Sequence, residues 1–124
     1  MNEKPGSFCQ CVLDIDLSTG RCRSFPLDPD LFARYLGGRG LGVYFLTREL
    51  PADCDPLGAE NMLVIAAGGV TGSMAPASGR FSVTFKSPLT GTIASANSGG
   101  FFGSAFKRSG IDVLIERGRA AGPV

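Results

Sequence analysis

Apolar residues recur at every second position in several short runs and at every third or fourth in others, so strands and helices both have to be placed. Cys9, Cys11, Leu13, Ile15 and Leu17 alternate with Gln10, Val12, Asp14 and Asp16. That predicts a strand whose cysteine–leucine–isoleucine face is buried. Ser18-Thr19-Gly20 turns the chain, and residues 21–25 return as the second arm of a hairpin. Asp28 before Pro29 reads as an N-cap followed by the first helical residue. Leu31, Phe32, Tyr35 and Leu36 share one face of that helix, and Gly37-Gly38 ends it. A second helix follows, with Val43, Tyr44, Leu46 and Leu50 as its apolar face and Pro51 as its stop.

Residues 51–61 are rich in turn formers, and Met62 to Ala67 is a short apolar run that predicts an interior strand. After a loop over 68–78, Phe81, Val83 and Phe85 alternate with Arg80, Ser82, Thr84 and Lys86. The aromatic set is expected to face the core and the polar set to lie opposite. Ser87 to Gly91 turns the chain around Pro88, and Thr92 to Ala96 pairs back antiparallel. Asn97 or Ser98 is expected to cap a helix over about 99–108, with Phe101, Phe102 and Phe106 inward and Gly110 at its end. Ile111, Val113 and Ile115 alternate with Asp112 and Glu116 as a last strand. The sum is an α+β fold with a mainly antiparallel sheet and about three short helices.

Composition narrows the chemistry. At 124 residues the chain is one domain, able to bury roughly two-thirds of its unfolded surface. A net charge of +1 with no basic stripe argues against nucleic acid. Without a signal peptide or a bilayer-length apolar run, a soluble cytoplasmic protein is expected, with no membrane partner. The absence of histidine removes Ser-His-Asp and Cys-His catalysis and histidine-ligated metals. Cys9, Cys11, Cys22 and Cys54 lack the paired spacing of a metal knuckle and read as small buried residues. Gly38-Arg39-Gly40-Leu41-Gly42 is G-x-G-x-G after a helix, whereas a dinucleotide fingerprint is G-x-G-x-x-G after a strand. A close, glycine-permitted junction between two helices is the better reading. Arg39 stands beside it.

The candidate chemistry lies in Ser78 to Gly103. The Arg80 guanidinium, the open backbone at Gly79 and the expected helix start at Asn97 to Gly100 are all anion donors. Asn97 adds a carbonyl able to ligate a hard cation such as Mg²⁺. None of these groups is a nucleophile or a proton donor near neutral pH, so the set binds and does not itself catalyse. The plainer alternative makes Arg80 a solvated strand residue, Asn97 only a cap and Gly99-Gly100 a packing allowance for Phe101.

Beyond these readings, GGRGLG with its following helix, DPLGAEN before an apolar strand, VTGSMAPASGRFSVTFKSPLTG and ANSGGFFG closely resemble the N-terminal domain of tungsten-containing aldehyde ferredoxin oxidoreductases. The likeness runs in register over nearly the whole chain. It implies that residues 1–124 are a single, partial cofactor-binding domain, the first half of that N-terminal domain. It implies a bis-pterin cofactor of tungsten or molybdenum contacted by Arg80, lying near a [4Fe–4S] cluster. Asn97 would give its backbone carbonyl to the Mg²⁺ that bridges the pterin phosphates, and Gly99 would approach the cofactor through its backbone. The implied reaction oxidises an aldehyde to a carboxylic acid, with electrons leaving singly through the cluster to ferredoxin. Cluster cysteines belong to later domains of that family, and none of the four here corresponds to them. The remaining domains or a partner subunit are therefore implied too, and no catalytic residue is assigned to this chain. The alternative is a non-catalytic binding or scaffold subunit that kept the fold without redox activity.

Overall fold

The computed structural model describes residues 11–124. Six strands form one sheet in the order β2-β1-β6-β3-β4-β5. They are β1 (Cys11–Asp16), β2 (Arg21–Pro26), β3 (Met62–Ala67), β4 (Phe81–Lys86), β5 (Ile93–Ser98) and β6 (Val113–Arg117). The helices are α1 (Pro29–Tyr35), α2 (Gly38–Glu49) and α3 (Phe102–Arg108). Four strand pairings are antiparallel, and β1 with β6 is parallel. The sheet is therefore mixed, with the expected antiparallel majority.

Local signals place several elements as expected. Asp28 caps α1 by accepting from the Asp30 N–H at 2.9 Å, with Pro29 in the first turn. Leu36 closes α1 in the left-handed region, and its N–H donates to the Phe32 carbonyl at 2.7 Å. β3 has the predicted limits and lies between β6 and β4.

Which face is buried differs from expectation on several elements, for one reason: α2 lies across the polar side of β4. Val12, Val64, Ala66, Val113 and Ile115 form the core with Leu41, Phe45 and Leu46 of α2. On β1 the buried side chains are Val12 and Asp14, while Cys11, Leu13 and Ile15 are half-buried on the opposite face; Cys9 lies outside the described residues. On β4 the buried set is Ser82, Thr84 and Lys86, and Phe81, Val83 and Phe85 are half-buried. On α2 the buried apolar positions are Leu41, Phe45 and Leu46, whereas Val43 and Tyr44 are only partly covered.

Glycines let α2 come so near. A Cβ on Gly42 would stand 2.3 Å from Thr84 Oγ1, and one on Gly40 would stand 2.1 Å from the Tyr35 carbonyl oxygen. GGRGLG is thus the expected close junction of α1 with α2, extended to the sheet. The buried polar groups of β4 are satisfied beneath it. Lys86 Nζ donates to the Ala52 and Cys54 carbonyls at 2.7 and 2.8 Å, and Thr84 Oγ1 lies 3.4 Å from Ser95 Oγ.

The other face of the sheet is mostly apolar, and little of the described chain covers it. Leu13, Ile15, Leu63, Ile65, Val83, Phe85 and Leu114 lie on it with Glu116 among them, all half-buried. Among the described residues α3 covers a corner, where Phe102 packs on Phe81 with ring centroids 4.6 Å apart. α3 begins at Phe102 rather than near Gly99, because Asn97 and Ser98 are still paired with β4. Phe106 points inward as expected, but Phe101 is 93% exposed and Phe102 is half exposed.

Candidate functional site

Topology gathers the glycine-rich segments at one end of the sheet. β3 ends there at Ala67, β4 begins at Phe81, β5 ends at Ser98, and both α2 and α3 start there. Gly37 bridges to Gly68, and a Cβ on Gly37 would stand 2.6 Å from the Ala67 carbonyl oxygen. Cβ atoms on Gly79 and Gly103 would each stand 2.7 Å from a backbone oxygen, that of Gly100 and that of Gly79 respectively. Gly37 with residues 67–68, and Gly79 with residues 100–103, therefore meet backbone to backbone, and side chains at these glycines would separate them.

Arg80 and the 97–100 segment are brought together, though not through a helix start. β4 and β5 pair Phe81 with Ser98 and Ser82 with Asn97, which sets Arg80 next to the turn at Gly99-Gly100. Asn97 is a strand residue rather than a cap. α3 has no side-chain cap and its first turn does not include residues 97–100, so the expected helix-terminal anion donor is absent from that segment. Arg80 is exposed, and its guanidinium makes no hydrogen bond or ion pair with another described residue. Its carbonyl, by contrast, is fixed by the Thr71 hydroxyl at 2.8 Å.

The direction of the Asn97 carbonyl follows from the ladder. The Ser87 N–H donates to the Thr92 carbonyl at 2.8 Å, which makes the pair just beyond the strands a hydrogen-bonded one. Hydrogen-bonded and open pairs alternate along an antiparallel ladder. Counting back, Lys86–Ile93, Thr84–Ser95 and Ser82–Asn97 are open pairs, whose main-chain groups point away from each other while their side chains approach. The side-chain contacts agree: Ser82 Oγ donates to Asn97 Oδ1, and Thr84 meets Ser95. Because β5 is the edge strand, the Asn97 N–H and C=O point outward, free of the sheet. The side-chain Oδ1 is engaged by Ser82 on the α2 side of the sheet, and the main-chain carbonyl is presented at the edge.

Gly99 completes the set. A Cβ there would meet nothing within 4 Å, and its φ is not in the left-handed region, unlike Gly100 at φ +91. Among the described residues neither packing nor backbone strain calls for glycine at 99. The allowance for Phe101 is no explanation either, since that ring faces solvent. Ser82 and Thr71 were not singled out as site residues from the sequence; alternation placed Ser82 on a solvent face, and nothing in the pattern marks Thr71.

Other features lie apart from this end. Cys11 sits opposite Pro26 and Cys22 opposite Ile15, at separate positions of the β1–β2 hairpin, and Cys54 is buried below Lys86. Among the described residues no group of three His, Cys, Asp or Glu could hold a metal ion. A cavity of about 550 Å³ opens at the far end between α2 and the β4–β5 turn, lined by Leu46, Leu50, Pro51, Lys86 and Ile93. Its walls are apolar and its one ammonium is already bonded to two loop carbonyls, so it has little to offer an anion. On β1, Asp14 is held between Arg23 and Arg117 at 2.6 and 2.9 Å, and Arg117 also bonds Glu49. Burial works against the Arg117 charge, but its bonds to Glu49 and Asp14 outweigh that and raise its pKa above the ordinary arginine value.

Residues 12–124 match the family model of the aldehyde ferredoxin oxidoreductase N-terminal domain. The chain belongs to that family. A tungsten-containing aldehyde ferredoxin oxidoreductase of Pyrococcus furiosus is 47% identical over 110 residues, covering 89% of this chain and 18% of that protein. Its namesake in Thermococcus kodakarensis is 44% identical over 112 residues, 90% of this chain and 18% of the relative. A P. furiosus aliphatic sulfonate oxidoreductase, WOR-like subunit, is 35% identical over 116 residues, 91% of this chain and 18% of its own length. Among solved structures, the active-site complex BamBC of benzoyl coenzyme A reductase with 1,5-dienoyl-CoA superposes with a TM-score of 0.90. It is 33% identical, and the alignment covers 93% of this chain and 18% of that one. The aldehyde ferredoxin oxidoreductase domain seen here thus spans less than a fifth of the length of these relatives. No helix among its described residues is long and apolar enough to cross a membrane.

Proposed function

We propose that this chain is one side of the cofactor site of a tungsten or molybdenum bis-pterin oxidoreductase that converts aldehydes to carboxylic acids. The observation that carries the reading is the outward Asn97 carbonyl at the free edge of β5. Beside it stand a guanidinium without a partner among the described residues and a glycine that packing does not require. These residues fit the group. Asn97 would offer a hard main-chain oxygen ligand to a Mg²⁺ that accompanies the cofactor. Arg80 offers a fixed positive charge with several N–H donors to the pterin. Gly99 leaves room for the cofactor to reach main chain.

When bound, the metal-dithiolene would supply two-electron chemistry, and a [4Fe–4S] cluster, for which this chain offers no ligands among its described residues, would supply the one-electron route to ferredoxin in the cytoplasm. This chain's residues bind and orient. Arg80 holds charge against the anionic cofactor, Ser82 keeps the Asn97 amide turned inward, and the Gly79–Gly100–Gly103 contacts fix the spacing between the two. We place the rest of the enzyme, whether further domains or a partner subunit, against the uncovered apolar face formed by Leu63, Ile65, Val83, Phe85 and Leu114.

One side of a site does not hold a large dianionic cofactor. Residues 1–124 purified alone are expected to contain no tungsten, molybdenum or iron by elemental analysis, while the complete enzyme contains them. One equivalent of tungsten on the isolated chain would contradict the division of the site between this chain and the rest.

A further inference from the structure

We propose that Thr71 is a positioning residue for Arg80, setting where its guanidinium meets the cofactor. The inference rests on the reading of Arg80 as a cofactor contact. Thr71 is 5% exposed, so its hydroxyl must find its partners within the protein. It finds both. The hydroxyl donates to the Arg80 carbonyl at 2.8 Å and accepts from the Gly68 N–H at 3.0 Å. The Thr71 N–H in turn donates to the Gly68 carbonyl at 3.1 Å, so this residue closes the turn at the end of β3 on itself.

Its methyl group has a third function. A Cβ on Gly103 would stand 3.2 Å from Thr71 Cγ2, which puts that methyl against the start of α3. One side chain thus ties the end of β3, the residue before β4 and the first turn of α3. Arg80 precedes the first ladder position of β4 at Phe81: by the same alternation the Phe81 N–H on one side of the Arg80–Phe81 peptide is held by β5, while the Arg80 carbonyl on the other side lies outside the ladder. The Thr71 hydroxyl fixes that second side of the peptide. A long arginine side chain swings from its Cα, and loss of that anchor spreads the positions its guanidinium visits.

Valine keeps the shape of threonine and removes the hydroxyl, leaving the Arg80 carbonyl and the Gly68 N–H without this partner. Serine keeps the hydroxyl and loses only the methyl. In the complete enzyme, tungsten per chain after extensive dialysis and amide hydrogen exchange are measured for Thr71→Val, Thr71→Ser, Arg80→Ala and the Thr71→Val/Arg80→Ala double variant. Thr71→Val is expected to weaken cofactor retention about five- to tenfold, the scale of one buried hydrogen bond. Thr71→Ser is expected to restore most of it, and Thr71→Val to add no further loss once Arg80 is alanine. Exchange should quicken at residues 79–81 and stay unchanged across β3 and β6.

Full tungsten in Thr71→Val beside depleted Arg80→Ala overturns this assignment alone. An equal added loss in the Arg80→Ala background, or lost protection across β3 and β6, shows a merely structural threonine and also overturns it. Full tungsten in both single variants overturns the reading of Arg80 as a cofactor contact, and the positioning role with it.

Discussion

Arg80→Ala in the complete enzyme is expected to lower cofactor retention by about 10- to 100-fold, with the sheet intact. Hydrogen bonds from a charged donor contribute about 1.5–3 kcal/mol, and Arg80 has no other described partner to which that energy could go. The residue is exposed, precedes β4 and packs against nothing that the core needs. Its removal should therefore leave hydrogen exchange and the unfolding temperature of the cofactor-free enzyme unchanged. Arg80→Lys keeps the charge but loses the planar fork, and should recover only part of the binding. Tungsten content and turnover that match the unaltered enzyme would sink the assignment.

The second large effect lies behind the site. Lys107 of α3 and Asp112 form a buried ion pair, with the side chains 5% and 0% exposed. Asp112 also receives a longer bond from the Cys11 N–H at 3.4 Å, and its own N–H donates to the Cys11 carbonyl at 2.9 Å. The pair therefore staples the end of α3 to the junction of β1 and β6. Lys107→Met would leave the Asp112 carboxylate in an apolar surround without its cation, which costs about 3–5 kcal/mol. Adding Asp112→Leu should recover most of that, because an apolar pair of similar volume often equals or exceeds a buried ion pair in stability. Hydrogen exchange over residues 102–117 reports both. No loss of protection in Lys107→Met would contradict the staple.

How far the sequence could be read depended on how local each signal was. The Asp28-Pro29 cap and the Met62–Ala67 run are settled by neighbouring residues, and both were legible. The parallel pairing of β1 with β6 joins residues 101 positions apart, such as Val12 and Val113, and no local pattern announces it. The orientation of β4 departs from its pattern for a physical reason. Alternation shows that two faces differ, and the aromatic one is normally the covered one. Here Gly42 lets α2 settle onto Thr84, and Ser82, Thr84 and Lys86 are buried with their hydrogen bonds satisfied. The aromatic face stays half exposed because what we propose covers it lies outside this chain.

Asn97 departs from its expected place as a helix cap for a similarly non-local reason. A cap and a strand-end residue look alike in sequence, and only pairing with Ser82 distinguishes them. The roles proposed for Arg80, Asn97 and Gly99 are those that the family resemblance implies, and the chemistry of the three residues agrees with them. The structure adds a separate argument for two of them, the outward carbonyl of Asn97 and the packing-free glycine at 99. The expected anion donors at a helix start are gone, so the electrostatic part of the reading now rests on Arg80 and the cation.

The most direct measurement is a structure of the complete enzyme with its cofactor, read at this end of the sheet. A Mg²⁺ is expected about 2.1 Å from the Asn97 carbonyl oxygen, with the Arg80 guanidinium in contact with the pterin. Cofactor phosphates lying elsewhere, for instance beside Lys86 at the far end, with the Asn97 carbonyl facing only water, would contradict that arrangement.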